Sequence, residues 1–319
     1  MRLSISKLLF LFLISAVFLN AETLSRTKVA LGTFVSISLD LKNKKYIEDG
    51  FGIVNDVELS LSSYKPQAKI YQLNENKTVD LDRYTYEALL LSRKYYEKSD
   101  GYFNIAIGKV TKDLYRFGEE EKVPTNAEVM KVNLDYRNLY FSKTKAFLYD
   151  GIKIDLGGMG KGFAVDKVTE YFKSKNIDNV IVAASGDIRC LSECEIEVAD
   201  PFSEETLLSF STLAKEMGVS TSGNYNRYVK SIEHNHLINP KLKKSQLNFI
   251  SITLISEISN SDLDAYATAT SVMPLQKAYQ FLDSLDLAYI IMQSDKVLRY
   301  SENINTFTKN LVINNRVKK

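Results

Sequence analysis

The sequence predicts a single compact α+β domain, with mixed sheets and flanking helices. Three observations lead there. Alternating β-branched runs and amphipathic helical runs both occur, but not in the strict strand–helix–strand order of a parallel sheet. No low-complexity linker and no internal repeat divides the chain. Its 319 residues also lie close to the size, roughly 250–300 residues, at which a single core stops growing.

The elements follow in order. Residues 28–39 alternate and are rich in β-branched side chains, predicting a strand with a break at Gly32. Residues 46–61 place Ile47, Phe51, Val54, Val57 and Leu61 at three- and four-residue steps, an amphipathic helix ended by the loop Ser63-Tyr64-Lys65-Pro66. A second helix is predicted over 83–98, with Ala88, Leu89 and Leu91 on its buried side, and Asp100-Gly101 stops it. The charged stretch 115–126 reads as a surface excursion. Alternation at 139–148 and again at 151–156 predicts a hairpin through Tyr149-Asp150-Gly151. Residues 161–175 have helical spacing, and 180–184 form a buried-type strand that ends in Ser185-Gly186-Asp187. Strands at 196–198, 218–221 and 250–254, helices at 265–273 and 275–285, and a closing strand pair at 288–292 and 296–300 complete a domain of residues 26–319.

The N-terminus carries an address. Arg2 and Lys7 precede an apolar run over 8–19, followed by Asn20-Ala21-Glu22. That is the pattern of a secretory signal over residues 1–21. The run is shorter than the roughly 20 apolar residues of a spanning helix. Leu19 suits the cleavage point poorly, which leaves an uncleaved membrane anchor as the alternative. No cysteine stands near the signal, so there is no lipobox. The expected location is periplasmic, with inner-membrane association possible.

Composition narrows the function classes. The chain is 45% hydrophobic and 25% charged, with a net charge of +2, and no clustered basic face marks a nucleic-acid partner. Its two cysteines, Cys190 and Cys194, are expected to form a disulfide in an oxidising compartment. Residues 188–190 and 194–198 would be the hairpin strands that bring them together. Two free thiols are the alternative. The spacing suits neither a zinc site nor a CxxC redox pair.

Three segments carry chemistry. In Asp155-Leu-Gly-Gly-Met-Gly-Lys-Gly-Phe-Ala-Val-Asp166 a strand, a glycine-rich turn and a helix start come together, exposing N–H groups beside Lys161 where a phosphate could sit. A plain strand–helix turn is the alternative. Gly218-Val-Ser-Thr-Ser-Gly-Asn-Tyr-Asn-Arg-Tyr228, then His234-Asn-His236, suits a loop lining a substrate, although a His pair without a third ligand is as well explained by packing. In Ser261-Asp-Leu-Asp-Ala-Tyr-Ala-Thr-Ala-Thr270, Asp264 and Thr268 share one helix face and offer two hard oxygens to magnesium. Helix capping by Asp264 is the competing explanation.

These segments, in this order, resemble the FAD:protein FMN transferase (ApbE) family. The motifs that carry the resemblance are Gly32-Thr33, Ser63-Tyr64, Gly101-Tyr-Phe-Asn104, 155–162, Ser185-Gly-Asp-Ile188, Thr221-Ser-Gly-Asn-Tyr225, His236-Leu-Ile-Asn-Pro240 and Leu263-Asp-Ala-Tyr-Ala-Thr-Ala269. They span almost the whole chain after the signal. Asn104, Asn224 and Asn239 stand where the family pattern has aspartate, and Lys241-Leu242-Lys243 replaces Arg-Thr-Gly.

The resemblance implies an ApbE-like fold and an FAD site lined by Leu31, Tyr64, Tyr102, Phe103, Asn104, Asp155, Lys161 and Ile238, with Tyr64 stacking on a ring. It implies magnesium held by the Gly158 carbonyl, Asp264 and Thr268, and FAD as substrate, its FMN half passing to a protein Ser/Thr hydroxyl with release of AMP. The implied acceptors are membrane redox subunits with a Ser/Thr-Gly-Ala-Ser/Thr motif, and a homodimer is a possible assembly. His236 and Asp264 are the expected catalytic residues, His236 to position or deprotonate the hydroxyl. Two rivals remain at this stage: a magnesium-dependent FAD pyrophosphatase and a non-catalytic flavin-binding protein.

Overall fold

The computed structural model describes residues 22–213 and 215–314. The signal expected over 1–21 lies outside the described residues. The chain opens as a hairpin, β1 (Thr23–Ala30) paired antiparallel with β2 (Thr33–Asp40). The expected single strand broken at Gly32 is therefore two strands. Leu31 and Gly32 both take positive φ, 55° and 70°, as a two-residue turn matched to strand twist requires.

Helix α1 (Ile47–Leu61) buries the apolar positions that the spacing predicts. Helix α2 (Lys69–Asn76) and β3 (Thr78–Asp80) were not legible, because Ile70 and Leu73 are the only apolar side chains that α2 buries, too few to mark a period. Helix α3 (Arg83–Lys98) starts at Asp82, whose side chain accepts from the Thr85 N–H. It buries Ala88 and Leu89, with Leu91 half-buried.

A π-type turn, Lys109–Leu114, leads into the stretch expected at the surface. Residues 118–122 are indeed exposed. Tyr115 and Phe117 are instead buried and stacked, ring centroids 5.0 Å apart, in a small core with Val110, Val229 and Ile238. After α4 (Asn126–Met130), β4 (Leu139–Phe141) and β5 (Lys145–Leu148) pair with each other, Phe141 opposite Ala146. The hairpin turn thus falls at 142–144, where the Ser142 hydroxyl accepts from the Lys145 N–H, and not at Tyr149-Asp150-Gly151. Beyond it Lys153 bridges Ile107 in parallel.

The remaining elements are α5 (Gly160–Ser174), β6 (Val180–Ala184), β7 (Asp187–Cys190), β8 (Glu195–Ala199), β9 (Thr206–Thr212), β10 (Met217–Gly223), β11 (Ile238–Asn239), β12 (Lys244–Ser245), β13 (Phe249–Ser256), α6 (Asn260–Val272), α7 (Leu275–Asp283), β14 (Ala288–Gln293), β15 (Leu298–Tyr300), α8 (Ile304–Phe307) and β16 (Thr308–Ile313). The main sheet has the order β1-β2-β6-β7-β10-β13-β14-β15, antiparallel throughout. The fold is α+β.

Residue alternation separates the faces of this sheet. Val35, Ile37, Val180 and Val182 pack against Phe51 and Val54 of α1 and Val168 and Phe172 of α5. Ile181, Ile188, Val219, Ile255 and Ile290 point the other way, onto Ile196, Leu208 and Phe210 of a second sheet, β16-β9-β8. Burial on both faces explains why 180–184 reads as a continuous apolar run. Pairing of β16 with β9 also means that the fold does not close on β14 and β15, as the sequence suggested.

Cys190 and Cys194 are joined, but not across a hairpin. Strand β7 pairs with β6 and β10 in the main sheet, while β8 pairs with β9 in the second sheet. The bond therefore ties the two layers together where the chain crosses between them. Mass mapping of protein isolated without reductant should recover the Cys190–Cys194 peptide pair. So short a loop should contribute about 2 kcal/mol at most. Two thiols that alkylate freely in the native protein would remove the pairing.

Candidate active site

The site forms where the 155–162 turn meets α6. Ser259 caps α6, its hydroxyl accepting from the Asp262 N–H, so the capping explanation for Asp264 falls away. Asp264 lies one turn before Thr268 on the face turned to α5. Its carboxylate accepts from the Gly162 N–H at 3.1 Å and from Lys161 Nζ at 3.3 Å. The Thr268 hydroxyl donates to the Gly158 carbonyl at 3.2 Å.

Two glycines make this approach possible. A Cβ on Gly162 would lie 2.2 Å from the Asn260 carbonyl oxygen, and one on Gly158 would lie 2.9 Å from Thr268 Cγ2. The first N-terminal N–H of α5 with a ligand-like partner thus already faces an anion, the Asp264 carboxylate, rather than an open phosphate pocket.

Lys161 is committed as well. Its Nζ is 2.9 Å from Asp187, a wholly buried carboxylate that also accepts from the Ser220 hydroxyl at 2.6 Å. Burial disfavours the Lys161 charge, yet Asp187 and Asp264 outweigh it and raise the pKa. Burial and the nearby Asp264 charge push Asp187 upward against the pull of Lys161 and Ser220. Asp187 belongs to a motif quoted from the sequence, but nothing there gave it a role.

A second group adjoins the first through Asp155. Thr111 donates to its carboxylate at 2.7 Å, the Gly157 N–H at 2.9 Å, and Lys112 Nζ pairs with it at 3.2 Å. Burial pushes the Asp155 carboxyl up, but Lys112, then Thr111 and Gly157, prevail and hold it at about 2. Lys112 Nζ also sits over the Tyr64 ring, 3.4 Å from its centroid, so one face of that ring is taken by a cation. The Tyr64 hydroxyl donates to the Phe117 carbonyl at 2.9 Å and accepts from Arg227 Nη2 at 2.5 Å.

His236 Nδ1 lies 3.0 Å from the Arg227 carbonyl oxygen. An oxygen there can only accept, so Nδ1 carries the proton and Nε2 is left as an acceptor. Burial first, then the positive charges of Arg227 and Lys161, hold the imidazole at about 3. It is neutral at any ordinary pH. His234 joins no such group; its ring is 6.3 Å from that of Tyr115.

The structure distributes the other expected FAD residues. Phe103 is buried against Tyr95 as a wall beneath Gly158. Tyr102 lies under Lys241 and Lys277, 4.4 and 5.0 Å from its ring centroid. Asn104 lines a cavity of about 370 Å³ with Tyr96, Asp100, Leu134, Pro240 and Lys241. Leu31 donates its N–H to Glu58, which pairs with Lys65 beside Tyr64. Ile238 is buried in the small core of Tyr115 and Phe117.

Two of the three asparagines have a local reason. Asn104 donates to the Leu134 carbonyl and accepts from the Ala106 N–H. Asn239 donates to the Val272 carbonyl and accepts from the Lys241 and Leu242 N–H groups. A carboxylate could accept in both places but could donate in neither. Asn224 is wholly buried, and neither of its amide atoms has a partner among the described residues.

Residues 31–291 match the ApbE family. The chain belongs to that family. A relative from Treponema pallidum (strain Nichols), named FAD:protein FMN transferase, is 24% identical over 318 residues, 88% of this chain and 87% of that protein. A second of the same name, from Haemophilus influenzae, is 27% identical over 287 residues, 81% of each. The ApbE protein of Thermotoga maritima superposes with a TM-score of 0.83 at 24% identity, covering 90% of this chain and all of that one. The flavin transferase ApbE of Vibrio cholerae gives 0.77 at 17%, with the same coverage. These superpositions fix the ApbE fold. Lys112, Arg227 and Asp187 are the charged residues of this cluster that sequence reasoning passed over. Arg227 and Asp187 lay inside quoted motifs; Lys112 had no motif to flag it.

Proposed function

We propose that the protein is an FAD:protein FMN transferase that moves FMN from FAD to a Ser/Thr hydroxyl of an acceptor protein. The acceptor oxygen bonds to the FMN phosphorus. The bond from that phosphorus to the bridging oxygen breaks, and AMP leaves with that oxygen. The observation that carries this reading is the convergence of the Gly158 carbonyl, the Asp264 carboxylate and the Thr268 hydroxyl at one point of the fold.

That donor set fits magnesium: three hard oxygens, one of them charged. Among the described residues no cluster of three His, Cys, Asp or Glu offers a carboxylate- or thiolate-rich cage instead. When bound there, magnesium would neutralise charge that develops on the phosphate oxygens. Lys161 keeps Asp187 as partner if Asp264 turns to the ion. His236 Nε2 accepts a hydrogen bond from the acceptor hydroxyl and orients it. We further propose export, directed by residues 1–21, to the compartment where the Cys190–Cys194 bond is formed. No helix among the described residues is long and apolar enough to cross a membrane.

The test mixes the protein with FAD, magnesium and a fragment bearing the Ser/Thr-Gly-Ala-Ser/Thr motif. The fragment should become covalently fluorescent while AMP accumulates in equal amount. FMN appearing in solution at the same rate with and without the fragment would establish hydrolysis instead.

A further inference from the structure

We propose that the Arg227 guanidinium is a phosphate-binding group of this site, making a direct contact with a phosphate of the flavin dinucleotide; this rests on the flavin-transfer reading above. Among the described residues, the cations around Asp155, Asp264 and His236 are Lys112, Lys161 and Arg227, and the two lysines are neutralised by carboxylates. Lys112 pairs with Asp155 at 3.2 Å, and Lys161 with Asp187 and Asp264 at 2.9 and 3.3 Å. Arg227 has no carboxylate partner among the described residues. Its two hydrogen bonds go to neutral oxygens, the Tyr64 hydroxyl at 2.5 Å and the Phe117 carbonyl at 3.4 Å. Both leave from Nη2. Nη1 and Nε have no partner among the described residues, so three of the five guanidinium N–H groups remain to donate to phosphate oxygens.

The guanidinium is also well placed. Its backbone carbonyl holds His236, at 3.0 Å to Nδ1 and 3.2 Å to the N–H, and its charge acts on both His236 and Asp155. Tyr64 and the Phe117 ring, 5.6 Å from the guanidinium carbon, brace it from behind. A cation so braced, exposed and unneutralised beside a free imidazole acceptor is suited to a doubly charged diphosphate.

The competing role is a strut that only steadies Tyr64. Titration of FAD by flavin fluorescence, with magnesium and at two salt concentrations, separates the two. Arg227→Ala should weaken FAD binding roughly 10–100-fold, the effect of losing a hydrogen bond to a charged group. It should also flatten the salt dependence, because one screened attraction is gone. Arg227→Lys should recover the salt dependence but only part of the affinity, since an ammonium cannot hold Tyr64 and donate to phosphate in the guanidinium's planar geometry. Thermal midpoints should match wild type, because the side chain is exposed. Unchanged FAD affinity, or a loss that leaves the salt dependence as in wild type, would overturn the proposal. The acceptor-labelling assay reads separately: wild type that binds FAD but frees FMN into solution would end the transfer reading and leave the Arg227 contact standing. Wild type that binds no FAD would remove both.

Discussion

Asp264→Asn is expected to lower FMN transfer at least roughly 10³-fold while the protein stays folded. Asparagine keeps the volume and an acceptor for the Gly162 N–H, which donates to Asp264 at 3.1 Å. It removes the only formal charge among the three proposed metal ligands. Lys161 retains its closer partner, Asp187 at 2.9 Å, and the repulsion between two buried carboxylates is relieved. The cost to folding should therefore stay near 1 kcal/mol, about 2–4 °C in midpoint for a domain of this size. The decisive readout is binding: added magnesium should tighten FAD in wild type and have no effect in the variant. Thr268→Ala should act in the same direction more weakly, and Thr268→Ser should restore activity by returning the hydroxyl. Turnover like wild type in Asp264→Asn would take this carboxylate out of the reaction.

What could be read from the sequence was local. Helical spacing placed Asp264 and Thr268 on one face, and the Asp155-to-Gly162 run announced a strand, a turn and a helix start. What the sequence hid was the partner of each charged group. Lys161 reads as a free cation for phosphate until Asp187 and Asp264 are brought beside it, the latter from 103 residues away. Lys112 looks like an ordinary surface lysine until the π-type turn presents it to Asp155. Tyr115 and Phe117 are masked by the charges that follow them, and they are buried only once Val229 and Ile238 join Val110 around them. The Leu31–Gly32 turn was missed because a leucine in the left-handed region leaves no compositional mark. Asn104 and Asn239 show the opposite case: losses of charge in the sequence become hydrogen-bond donors in the fold.

His236→Ala is expected to slow acceptor labelling roughly 10²–10⁴-fold, with FAD binding largely kept, and its pH signature is the sharper test. In the free protein burial, Arg227 and Lys161 hold the imidazole at about 3. A group that must be neutral to accept a proton is then ready at every pH above roughly 4, so kcat/KM, which reports the free enzyme, should show no His236 limb between pH 5 and 8. Basicity must rise before the imidazole can take a proton from a hydroxyl. Bound FAD supplies that rise, because its diphosphate offsets the two cations that hold the value down. The sign is fixed by this: opposite charge brought near favours the protonated form, so the pKa in the complex lies above that of the free protein. The acid limb of kcat should consequently sit at higher pH than the His236 limb of kcat/KM, which lies below pH 5, and His236→Ala should abolish both. Arg227→Ala should move the kcat/KM limb upward, since it removes one of those cations. A single limb near pH 6.5 in kcat/KM of the wild type would mean that the imidazole is an ordinary exposed base, and the held tautomer would lose its part in the reaction.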